Sequence, residues 1–111
     1  MRRSRLVLTA AIACAFAALS QVGTRSVHGI VADQNGRPLK GVPVQLKDLR
    51  SLQIRSFLTE GDGRYYFHEL RTDIDYELQA KDGNHVSSTK LLSRFDSSKD
   101  AEVNLAIDTG G

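Results

Sequence analysis

The sequence predicts an all-β domain, a seven-stranded Greek-key β-sandwich, behind a signal peptide. Three observations carry that expectation. Past residue 20 no window sustains a helical period, and apolar residues instead recur at every second position along short runs. Clusters of Gly, Asn and Asp interrupt those runs at intervals of about 8–12 residues, the spacing of sandwich turns. The chain has 111 residues, which is one small domain once a leader is set aside.

The leader occupies residues 1–20. Arg2, Arg3 and Arg5 are followed by a nearly unbroken apolar stretch from Leu6 to Leu19 and then by Ser20. A charged start, an apolar middle and a small residue at the end are the parts of a secretory signal. The stretch falls short of the roughly 20 apolar residues a membrane span needs, and no span is expected after it. It also holds three of the 15 basic residues, so the remainder carries 12 basic against 13 acidic groups. The basic balance therefore belongs to the leader, and a nucleic-acid partner is not expected. Cys14 is the single cysteine, so the domain that follows has no disulfide to brace it. Ala11-Ile12-Ala13-Cys14 has some similarity to a bacterial lipobox. Ala15-Phe16-Ala17-Ala18-Leu19 stays apolar after it, where a lipoprotein turns polar. Cleavage near Ser20 and release to the periplasm or the exterior is the expectation, with a lipid anchor at Cys14 the minor alternative.

The elements follow in order. Val27, Gly29 and Val31 alternate with His28, Ile30 and Ala32 in a first strand. Asp33-Gln34-Asn35-Gly36 turns the chain, with the Asn-Gly pair suited to positive φ. Val42, Val44 and Leu46 mark a second strand; Pro43, which lacks an N–H, belongs at its start or on a free edge. Leu52 to Thr59 is a third strand and Arg64 to His68 a fourth, with Glu60-Gly61-Asp62-Gly63 read as a hairpin loop. Tyr76, Leu78 and Ala80 define a fifth, closed by Asp82-Gly83-Asn84. A sixth lies within Val86 to Leu92. Val103, Leu105 and Ile107 form a seventh, and residues 108–111 are a frayed tail.

Several stretches together resemble a known family. Val27-His28-Gly29-Ile30-Val31, Gly36-Arg37-Pro38-Leu39 and Gly41-Val42-Pro43-Val44 look like the opening of a carboxypeptidase regulatory-like domain. Thr59-Glu60-Gly61-Asp62-Gly63-Arg64-Tyr65-Tyr66-Phe67 and Asp75-Tyr76-Glu77-Leu78-Gln79-Ala80 resemble its central turn and next strand. The resemblance covers residues 27–107. Thr72-Asp73-Ile74-Asp75 departs from it, standing where many relatives have a proline-glycine turn. The resemblance implies a transthyretin-like (prealbumin-like) sandwich and an accessory, non-catalytic role, with carbohydrate binding among relatives. A fold alone does not transfer a function.

Catalytic and metal signatures are weak. His28, His68 and His85 have no His or Glu three or four residues on, so no zinc pair is formed and no metal or cofactor is expected. Ser87-Ser88-Thr89-Lys90 has the letters of a serine nucleophile motif, but on a strand residues three apart face opposite sides. Gly61 and Gly63 lack a following helix and read as turn residues, with Asp62 closing an Asx-turn. In related surface adhesins an isopeptide bond joins a lysine and an asparagine beside a buried acid; here the lysine would fall near Val31 and the acid near Ala80, and Asn104, roughly where the asparagine would lie, cannot react alone.

The loop at 60–63 implies a register in which Leu58 faces Tyr65, Phe57 faces Tyr66, Ser56 faces Phe67 and Arg55 faces His68. Leu52, Ile54, Ser56, Leu58, Tyr65 and Phe67 would then share the core face. Phe57, Tyr66, Arg55 and His68 would face solvent, as a possible surface for a protein or glycan partner at the cell envelope. The sequence thus favours an exported interaction module, then a carbohydrate-binding module, then a small hydrolase or metal enzyme; it does not count subunits. Mass spectrometry of the exported protein should find an N-terminus near Ser20; a diacylglyceryl-cysteine at residue 14 would reverse that reading.

Overall fold

The computed structural model describes residues 23–110; the expected signal peptide and Cys14 lie outside them. Nine β-segments follow one another: β1 (Thr24–Asp33), β2 (Pro43–Asp48), β3 (Ile54–Leu58), β4 (Arg64–Arg71), β5 (Tyr76–Asp82), β6 (His85–Val86), β7 (Lys90–Leu92), β8 (Asp100–Glu102) and β9 (Leu105–Ile107). No helix occurs among the described residues. In one sheet β4 and β1 are antiparallel, while β8 and β9 both run parallel to the other edge of β1. In the second sheet the order is β3-β2-β5, with β6 and β7 both on the far edge of β5. The expected sixth strand is thus interrupted, the expected seventh is shortened to Leu105–Ile107, and β8 is an unexpected short strand before it. Counted by position, the first sheet has three strands and the second four, and the seven-position sandwich stands. Pro43 opens β2, where its missing N–H costs no interior ladder bond.

The core lies between the sheets and follows the period of two. Val27 and Val31 of β1, Tyr65 and Phe67 of β4, Val44 and Leu46 of β2, and Tyr76, Leu78 and Ala80 of β5 are all buried. Leu92, Ala101, Leu105 and Ile107 close the ends. The register of β4 breaks once. Phe67 and Leu70 both point inward although three residues apart, and the positive φ of Glu69 (58°) absorbs the extra residue. The turn at 72–75 is held by a two-pronged pair, Arg71 Nε and Nη2 to the two Asp73 carboxylate oxygens at 3.0 and 2.9 Å. That pair holds the Asp73 carboxyl below its ordinary value and supplies what a proline-glycine turn would provide by backbone geometry.

The expected hairpin between β3 and β4 does not form. β3 pairs with β2, with Phe57 opposite Val44 and Arg55 opposite Leu46. β4 pairs with β1, with Tyr66 opposite His28 and Tyr65 opposite Gly29. Residues 60–63 make the tight turn that was expected, closed by the Glu60 N–H on Arg64 O (2.9 Å) and the Asx bond from Arg64 N–H to Asp62 Oδ1 (3.2 Å). The turn carries the chain from one sheet to the other, because the Val31 N–H donates to Gly63 O and draws the start of β4 onto β1. The faces of β3 are therefore exchanged: Leu52, Ile54, Ser56 and Leu58 are exposed, and Phe57 packs partly against the core. Tyr65, Phe67, Tyr66 and His68 keep their expected sides.

Two polar details pin the sandwich at its ends. Arg25 occupies an inward position of β1 and is 3% exposed. Its Nη1 donates to Ser93 O at 3.0 Å and its Nη2 lies 3.8 Å from Asp96 Oδ1, so it ties the β7–β8 connection to β1. The Ser87 hydroxyl accepts the Ala80 N–H (2.9 Å) and donates to Ser88 O. It fills the gap between β6 and β7 and is not aimed at Lys90.

Gly29 is where the fold is tightest. A Cβ there would stand 1.8 Å from Val103 O and 2.9 Å from the Tyr65 ring. Gly29→Ala should lower unfolding free energy by about 3 kcal/mol or more, read as a shift of the urea midpoint; an unchanged midpoint would show that the β8–β9 connection can move aside.

Candidate functional site

The outer face of the β4-β1-β8 sheet gathers side chains from three strands. Ser26, His28 and Ile30 alternate outward along β1, and Arg64, Tyr66 and His68 do so along β4. His28 stands opposite Tyr66 on one side and opposite Glu102 on the other; Ser26 stands opposite Asp100. A cleft of about 410 Å³ opens on this face, lined chiefly by His28, Ile30, Glu60, Arg64, Tyr66 and Glu102.

Aromatic rings run from the core to this surface. Phe67 lies 6.2 Å from Phe57, Phe57 lies 4.7 Å from Tyr66, and Tyr66 lies 4.9 Å from the His68 ring, all tilted or edge-on. Such arrangements suit the quadrupoles of the rings. Phe57 and Tyr66 therefore meet as expected, but across the flank between two sheets and not as partners on neighbouring strands. The pair is consequently anchored at one end by the core. Tyr66 remains 41% exposed.

The polar groups are wired in pairs. His28 Nδ1 lies 2.9 Å from Asp100 Oδ1, and His68 Nδ1 lies 3.5 Å from the Ser26 hydroxyl. Serine, histidine and aspartate thus share a face, but these bonds form two separate pairs, without the serine–histidine–acid relay of a nucleophilic site. Arg64 Nε is held 3.1 Å from Asp62 Oδ2 at the mouth of the cleft. Beneath the face, the Tyr65 hydroxyl donates to Val103 O at 2.5 Å, and burial pushes its phenol up. That bond fixes β4 in height and rotation and so sets where Tyr66 stands.

Of the four residues singled out in the sequence, the structure brings Phe57, Tyr66 and His68 together. Arg55 is placed apart, in a second cleft of about 330 Å³ with Asp48, Gln53, Glu69 and Arg71. Sequence reasoning missed the His28–Asp100 pair and Glu102. His28 alternates outward between buried neighbours, which is legible, but its acidic partners lie more than 70 residues away on a short strand. His85 is exposed at the β5–β6 turn. No cluster of three His, Cys, Asp or Glu suited to a metal occurs among the described residues. Asn104 Oδ1 accepts the Ile30 N–H at 3.0 Å and so serves the β1 edge.

A model of the carboxypeptidase regulatory-like domain matches residues 26–108. The chain belongs to that family. Solved structures share the fold of this carboxypeptidase regulatory-like domain at low identity. A candidate carbohydrate-binding protein from Pseudomonas aeruginosa is 18% identical, with a TM-score of 0.52 over 82% of this chain and 93% of that one. A DUF3823 family protein from Parabacteroides merdae is 22% identical, with a TM-score of 0.58 over 79% of this chain and 47% of that one. Catechol 1,2-dioxygenase from an Acinetobacter species is 10% identical, with a TM-score of 0.57 over 79% of this chain; the domain spans about half (53%) of the dioxygenase. These likenesses show the sandwich and nothing of its chemistry. Among curated protein sequences none matches this one. No helix among the described residues is long and apolar enough to cross a membrane.

Tyr65→Phe removes the only phenol that reaches Val103 O. Leaving that carbonyl without its donor should cost about 1–2 kcal/mol in urea unfolding; a cost near zero would show that Val103 O finds water instead.

Proposed function

We propose that this domain is an exported, non-catalytic interaction module of the cell envelope, and that its contact surface is the outer face of the β4-β1-β8 sheet. The observation that supports this reading is the ring series Phe57–Tyr66–His68 beside the open cleft. Rings held by a packed core present apolar area at little entropic cost, which is what a binding surface needs. Glu60, Glu102, Arg64 and the His28–Asp100 pair around them supply donors and acceptors of both signs.

A second reading is a carbohydrate-binding module using the same face. It is favoured by the exposed Tyr66 ring at a cleft edged by carboxylates and a guanidinium, since sugars offer an apolar ring face and a rim of hydroxyls. The shared fold with the Pseudomonas protein is compatible with it but carries no residue of the site.

Both readings are tested by capture from a bacterial envelope extract, with wild type and Tyr66→Ala run in parallel and circular dichroism confirming that both are folded. Retained protein supports the first reading and retained polysaccharide, followed on a glycan array, the second. In either case Tyr66→Ala should weaken binding about tenfold, or ~1.4 kcal/mol. Equal binding by both forms would remove this face from consideration.

A further inference from the structure

β3 is the outer strand of its sheet, and its backbone has a free side. The Asp48 N–H donates to Gln53 O at 2.9 Å and the Thr59 N–H to Val42 O at 3.0 Å. These bonds turn the odd-numbered residues of this stretch toward β2. By the alternation of an antiparallel pair, the N–H and C=O groups of Ile54, Ser56 and Leu58 point away from the sheet. No described strand pairs with them. The outward side chains of the same residues are apolar at both ends: Ile54 is 54% and Leu58 63% exposed.

Native edge strands are usually shielded by shortness, charge, proline or a bulge. Elsewhere in this domain they are. β6, β7, β8 and β9 have two or three residues each, and β4 is bent by the bulge at Glu69. β3 has five residues, no proline, no bulge, and one charge, Arg55, which lies on the side facing the sandwich.

We propose that β3 pairs antiparallel with β3 of a second copy of this chain, about a two-fold axis at Ser56. The register follows from the residues. Only Ile54, Ser56 and Leu58 offer outward backbone groups, so they must pair among themselves. Centring on Ser56 sets Ile54 against Leu58 of the second copy, Ser56 against Ser56, and Leu58 against Ile54, so all three bond. Centring on Arg55 would oppose two like charges, which is destabilising; centring on Phe57 would leave Ile54 without a partner. In the Ser56 register the four apolar side chains form one patch on the outer face. On the other face Arg55 stands opposite the Phe57 ring, an attractive pairing of cation and π-system. The two sheets join into one that crosses the axis. An interface built on five residues a side is small, so dissociation on the order of 10 μM is expected.

The test uses the whole chain, exported and purified, in sedimentation equilibrium from about 1 to 500 μM. A concentration-dependent monomer–dimer equilibrium is expected. Ser56→Pro, which removes an outward N–H without touching a β2 bond, and Leu58→Lys should each shift it at least tenfold toward monomer, with circular dichroism unchanged. In a Cys14→Ser background, Ser56→Cys should cross-link to itself under mild oxidation far faster than Ser88→Cys, placed on an exposed loop. A monomer throughout the range would overturn the proposal. So would a dimer that both variants leave intact, or equal cross-linking at residues 56 and 88.

Discussion

The contact between the Gly29 backbone and the Val103 carbonyl governs how the molecule is assembled. Among the described strands, β1 alone has neighbours of both directions: β4 antiparallel on one edge and β8 and β9 parallel on the other. Between β8 and β9 the chain leaves the ladder, and Val103 O dips toward Gly29, where it is met by the Tyr65 hydroxyl. A side chain at residue 29 would fill the space that this carbonyl and phenol share. One absent methyl group thus lets strands from the beginning, middle and end of the chain lock at a single point. With no disulfide in the domain, such close backbone packing takes the place of covalent bracing.

The surface site inherits its order from that lock. Tyr65 and Tyr66 are neighbours on β4 and point to opposite sides. Fixing the first by its hydroxyl fixes the second, which then leans on Phe57 from the other sheet. The candidate site is therefore carried by rigid elements and by the seam between the two layers, and only Glu60 comes from a loop. Arg25 acts similarly at the far end of β1. It is a buried cation in a position that the alternation reserves for an apolar residue, and it tethers the long β7–β8 connection by Ser93 and Asp96.

The sandwich was legible because the inward positions declare themselves without reference to any partner. Val27 and Val31, Val44 and Leu46, and Tyr76, Leu78 and Ala80 alternate cleanly whichever strand lies alongside. The partner itself was not legible. Glu60-Gly61-Asp62-Gly63 has the chemistry of a tight turn and makes one, but local chemistry cannot say whether the chain returns to the same sheet. The error propagated to β3, where three aliphatic residues at even positions outweighed one phenylalanine at an odd position. An edge strand at an open flank is the place where burial exerts least control over that choice. Phe57, Tyr66 and His68 do come together, because the two ends of the 60–63 turn keep their aromatic residues near one another in this topology too. Arg55 lies apart from them, since its position depended wholly on the register. The His28–Asp100 pair required knowledge of a parallel contact between the two ends of the chain.

The parallel placement of the first and last strands bears on how the domain answers to force. Its N-terminal end leaves at Thr24 and its C-terminal end at Ile107, on opposite ends of the β1–β9 pairing. Tension between the termini therefore slides the two strands lengthwise and stretches their interstrand bonds together instead of peeling them one at a time. In that geometry the bonds along the pairing share the load.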